Sequence, residues 1–160
     1  MVSPRRARGS APLAAIAVLL LAQFVLGMVV NLYVVVPRSH PGARAGNYLS
    51  GVVSGVSWAI RRGPWSLAVH AALGLALVIV ALVYLLHTLR TRTRGALAPA
   101  LLGAVLTIGA GFNGASFLDF GHAVSSLVMA VCSVLAFTAY LAGALRTPPR
   151  EVLAYRMRRR

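Results

Sequence analysis

Few groups in this 160-residue chain can do chemistry: four histidines, one cysteine and two carboxylates. Two of the histidines, His70 and His122, each lie near the start of a long apolar run. An ionisable side chain inside a membrane-spanning segment is costly and rare, and so points to a site. Two imidazoles at one depth can ligate a haem b iron from both sides, giving a six-coordinate, low-spin centre suited to electron transfer. His70 and His122 are therefore the candidate metal ligands. One helical turn below them stand Gly74 and Ser126, small enough to leave room for a flat macrocycle. Asn31 and Asn113 are candidates to orient an imidazole or a propionate by hydrogen bonding. A plainer reading stays open, because small residues and asparagines also join membrane helices without any cofactor.

The elements that must position these groups follow from composition. The chain is 59% hydrophobic with a formal charge of +14. Its 16 basic residues are all arginine, and its only acids are Asp119 and Glu151. This is the composition of an integral membrane protein rather than of a soluble domain. The arginines cluster at the ends of apolar runs, where they set membrane orientation, so nucleic acid is not the expected partner. The arginine, alanine, glycine and valine bias suggests a bacterial source, and hence the bacterial cytoplasmic membrane. Cys132 falls mid-span and reads as a small packed hydrophobe.

A hydrocarbon core of ~30 Å needs about 20 apolar residues in helical form. Four segments qualify, at roughly 12–36, 65–88, 98–118 and 121–145. The predicted fold is all-α: an integral membrane four-helix bundle forming a single domain, with a first outer loop at 37–64 and a cytoplasmic tail at 146–160. The first apolar run is too long for a signal peptide and closes on no cleavage site, so it reads as a retained span. With the N-terminus inside, twelve arginines fall on the cytoplasmic side. Only Arg38, Arg44, Arg61 and Arg62 fall outside, so both termini are expected in the cytoplasm. Within the outer loop, Leu49, Val52, Val53, Val56 and Ile60 recur at helical spacing between Ser50, Ser54 and Ser57. That pattern predicts an amphipathic helix on the outer surface or capping the bundle.

This topology puts His70 and His122 in the outer leaflet, with depths differing by ~6 Å at 1.5 Å per residue. The four outer arginines could pair with haem propionates. His87 lies at the opposite membrane face, where it meets lipid or water, and His40 reads as a turn residue in Ser-His-Pro-Gly. The chain also carries an internal echo. Gly27-x-x-x-Asn31 matches Gly109-x-x-x-Asn113, and His70-Ala71 matches His122-Ala123. A two-plus-two repeat and chance similarity both account for it, and His40 competes with His70 as the counterpart of His122.

The plan resembles the four-helix b-type membrane cytochromes and, in architecture, one half of a haem A synthase. That likeness covers the whole chain as a layout, with helix-start histidines at His70 and His122 and a helix in the first outer loop. It implies haem binding at those two residues. The synthase loop also carries a cysteine pair and a carboxylate important for activity, which the loop at 37–64 lacks. The resemblance therefore carries no oxygenase chemistry to this chain. No hydrolase, transferase or phosphate-loop pattern is present, so no independent enzyme activity is expected. Three functions follow: a small haem b electron-transfer protein working with a quinone or a partner subunit; a haem-free accessory or scaffold subunit of a membrane complex; and a small transporter or lipid-binding protein using Asn31, Tyr33, Asn113 and His70.

Overall fold

A computed structural model describes residues 10–92 and 94–146. Five helices run in order: α1 (Ala11–Tyr33), α2 (Tyr48–Arg62), α3 (Trp65–Thr91), α4 (Arg94–Phe120) and α5 (Ala123–Arg146). Four of them, all but α2, are long and apolar enough to cross a membrane. The N-terminal arginines at 5, 6 and 8 and the tail beyond 146 lie outside the described residues.

The long helices form a square. Neighbours in contact are α1 with α3, α3 with α4, α4 with α5, and α5 with α1, which leaves α3 diagonal to α5. The shared core is made from Leu13, Ile16 and Leu20 of α1, Leu77 and Ala81 of α3, Ala104 of α4, and Ala136 and Tyr140 of α5. Most large apolar side chains point away from this core, as Val18, Leu82, Leu101 and Leu127 do. That is the inversion expected in lipid. Hydrocarbon outside removes any drive to bury leucine, and small residues are kept for close helix contact.

Several boundaries differ from the sequence expectation. The first span stops at Tyr33 rather than at 36, and Val34 is already extended. Three valines in a row before Pro37 explain this, since β-branched residues and a pre-proline position both disfavour helix. The third span starts earlier, at Arg94, and accommodates Pro99 inside the helix. The fourth begins at Ala123, so His122 lies in the turn before α5 rather than within the helix. Gly121, at φ +68°, takes the left-handed conformation that reverses the chain there.

The loop helix α2 is present and packs across one end of the bundle, against α3 and α4. Its N-terminus is capped by Asn47, whose side-chain oxygen accepts from the Ser50 amide at 3.2 Å. Only part of the valine and leucine stripe docks: Val52, Val56 and Ile60 are half-buried. The residues buried against the bundle are Gly51, Gly55 and Ala59, while Leu49 and Val53 are 72% and 68% exposed. Gly42, at φ +96°, explains the choice. A methyl group on Gly42 would stand 2.5 Å from the Gly51 carbonyl, so the preceding loop lies against the bare backbone of α2.

Candidate functional site

His70 sits in the seam between α1 and α3, and its surroundings come from a residue that the sequence reading passed over. Gln23 is 9% exposed and donates from Nε2 to the His70 backbone carbonyl at 3.0 Å. The two helices are antiparallel, and each offers the other a glycine. The His70 ring lies where a Cβ on Gly27 would meet Cε1 at 2.9 Å. The Gln23 amide lies where a Cβ on Gly74 would meet Nε2 at 2.9 Å. Gln23 and Gly27 are one turn apart on α1, as His70 and Gly74 are on α3. The result is a reciprocal pair of polar knobs seated in glycine notches. The sequence signal was present as two polar-x-x-x-Gly pairs, Gln23 with Gly27 and His70 with Gly74.

Two polar atoms of this seam, Gln23 Oε1 and His70 Nδ1, are buried without a hydrogen-bond partner. Such groups cost free energy in an apolar medium. One interhelical bond from Gln23 offsets part of that cost, at about 0.6–2 kcal/mol.

The other expected site residues lie elsewhere. His122 is exposed in the α4–α5 turn, with its ring edge-on to Phe120 at a centroid distance of 5.9 Å. Gly74 receives Gln23, as described. Ser126 is half-buried in the first turns of α5, and Asn31 is exposed near the end of α1. Asn113 Nδ2 donates to the Gly109 carbonyl of its own helix at 2.9 Å. Tyr33 is exposed. Val78 of α3 packs at Gly111 of α4. Counting along both helices from that contact brings His70 level with Asp119, close to the turn that carries His122. The histidines thus share one end of the bundle. Their rings face apart: His70 is turned into the α1–α3 seam, and His122 stands outside it beside Phe120. A macrocycle held by both needs the rings turned toward a common space, so this arrangement does not fit bis-histidine haem b.

The internal echo likewise stops at the sequence. Gly27 faces His70, but its counterpart Gly109 faces Cys132 Sγ at 3.6 Å from the position of a Cβ. Cys132 lies about ten residues past His122, roughly 15 Å along a helix.

A dense polar cluster among the described residues is at the capped end. His40, 6% exposed, has Nδ1 at 2.9 Å from the Pro41 carbonyl and Nε2 at 2.8 Å from the Leu118 carbonyl of α4. Its ring stacks on Trp58 of α2 at 4.5 Å. His40 is therefore a bolt joining loop, cap helix and bundle, rather than a simple turn residue. Asp119, 3% exposed, ties down the same loop: its backbone carbonyl accepts from the Arg44 amide at 3.0 Å, and Oδ1 accepts from the Ala45 amide at 3.3 Å. Its Oδ2 is buried against Gly51 without a hydrogen-bond partner. Tyr48 adds a third brace, with its hydroxyl 2.8 Å from Ser116 Oγ and its ring on Phe112 at 5.0 Å.

Over this braced base the cap presents charge. Arg38, Arg44, Arg61 and Arg62 are exposed, and none forms an ion pair among the described residues. Asp119, the one carboxylate among those residues, lies buried beneath them. Arg44 adopts φ +54°, a conformation uncommon for a side chain larger than glycine, and the Asp119 bonds hold it there. Beside it lies a crevice of about 320 Å³, reached by Arg38, His40, Arg44, Asp119 and Gly121.

The class that the fold defines is a helical membrane bundle of four long apolar helices with a helical cap at one end. Comparison with protein-family models, with curated proteins and with solved structures gives no match for this chain.

Proposed function

We propose that this protein is a haem-free accessory subunit of a membrane complex, docked to an anionic partner surface through its cap. The observation that carries the reading is the set of four exposed arginines without ion pairs, held on a cap braced by His40, Tyr48 and Asp119. The positive-inside count supports a reading with both termini in the cytoplasm and this cap on the outer face. Arginines on the outer side run against that bias, so they serve something other than orientation. Guanidinium groups suit carboxylate and phosphate partners through bidentate hydrogen bonds. A rigid base lowers the ordering cost of docking.

The test is purification of the full chain from its native membrane in a mild detergent. The expected result is co-elution with a larger assembly that dissociates as salt is raised, and that Arg61→Glu with Arg62→Glu releases. A lone, stable monomer at low salt overturns the reading. The absorption spectrum with haem supplied is a second test. The expected result is no Soret band. A band lost in both His70→Ala and His122→Ala would instead establish a bis-histidine haem protein.

A further inference from the structure

At the end of the bundle opposite the cap, an open apolar groove of about 430 Å³ lies between the outer faces of α1 and α3. Its walls include Pro12, Ile16 and Leu19 of α1 and Val80, Val83 and His87 of α3. The groove runs about 10–12 Å along the helices at 1.5 Å per residue, less than the ~15 Å of one bilayer leaflet. Its apolar walls end at a basic mouth. His87 lines the groove, and Arg90, three residues further on the same helix face, is exposed, as is Arg92. Neither arginine forms an ion pair among the described residues.

We infer that this groove is a binding site for an anionic phospholipid, with one acyl chain along the α1–α3 wall and the phosphate at His87 and Arg90. A bilayer chain covers any apolar surface, so selectivity must come from the mouth. The charge there is uniformly positive among the described residues, which complements a net-anionic headgroup and offers nothing to the ammonium of a zwitterionic one. Basic pockets between membrane helices on the cytoplasmic side recognise such headgroups. The groove lies far from the cap and requires no partner protein.

Native mass spectrometry of the intact protein, exchanged into detergent with equal phosphatidylglycerol and phosphatidylcholine, tests this. The expected result is one retained lipid per chain, with phosphatidylglycerol favoured about five-fold for each basic contact. Arg90→Gln with His87→Ala should bring the two lipids close to equal retention. Arg61→Gln with Arg62→Gln, at the other end, should leave the preference intact. Ala15→Phe, which fills the groove from α1, should lower retention of both lipids together. Equal retention in the native protein overturns the inference. So does a preference that survives loss of His87 and Arg90, or one that disappears with Arg61 and Arg62. The charge variants change exposed side chains only, so they remain informative if the groove-filling variant fails to fold.

Discussion

The two seams α1–α3 and α4–α5 use the same device with different side chains. In both, a glycine on one antiparallel helix accepts a larger side chain from the other. Across α4–α5 the inserted groups are Pro99 at Gly143, Tyr140 at Gly103, Cys132 at Gly109 and Met129 at Gly114. They run from one end of the helix pair to the other. Across α1–α3 the groups inserted at Gly27 and Gly74 are His70 and Gln23, and toward the opposite end an open apolar groove lies between the two helices. The difference shows what a glycine notch does in a membrane helix. The notch permits close approach, while the inserted side chain decides what the seam buries. The Tyr140 hydroxyl alone lacks a partner among the groups inserted across α4–α5, whereas both groups inserted across α1–α3 bury an unpartnered polar atom.

The largest expected effect comes from closing a notch on a rigid group. A Cβ on Gly103 would meet the Tyr140 ring at 2.5 Å, and Tyr140 is fully buried. Gly103→Val should therefore cost about 3 kcal/mol, read as a lower thermal midpoint in mild detergent. An unchanged midpoint would mean that the α4–α5 seam is loose.

The polar seam is tested by coupling. Gly27→Ala places a methyl against the His70 ring and should cost about 1–2 kcal/mol. In a His70→Ala background the same change should cost nothing, because the ring is gone. Additive effects across this double-mutant cycle would show that His70 does not occupy the Gly27 notch in solution.

Gln23→Leu is expected to be milder, changing stability by less than about 1 kcal/mol. It removes the bond to the His70 carbonyl, but it also removes the unpartnered Oε1. A large loss would reveal a water or ligand held at Oε1. Smallest of all is Gly109→Ala. Its Cβ would stand 3.6 Å from Cys132 Sγ, an ordinary contact, and alanine is the better helix former. The thermal midpoint should hold or rise slightly; a marked fall would put Gly109 in the same class as Gly103.

Legibility in the sequence varied by residue. His70 and Gly74 were singled out, and the structure places both in one seam. Their partners Gln23 and Gly27 were missed as a pair, because a single glutamine in an apolar run carries no sign of what faces it. His122 was read as the mate of His70 from a shared motif, and it lies outside the seam because α5 packs about ten residues out of step with the echo. The α2 stripe was legible only in part. Periodicity reports the apolar face, with Val52, Val56 and Ile60 half-buried, but not that the deepest contacts are made by the least side chain, at Gly51, Gly55 and Ala59.

By itself the sequence determined the four long helices, the loop helix and the basic ends, since length, hydropathy and arginine placement are local properties. Tertiary structure alone decided the rest: which corner each helix occupies, that His40 and Asp119 bolt the cap, and that His70 turns to Gln23 and Gly27 rather than toward His122. The physical reason lies in the solvent. In water, burial marks the inner face of a helix with large apolar residues. In lipid every face is apolar, and the inner one is chosen by small steric fits that no single segment records.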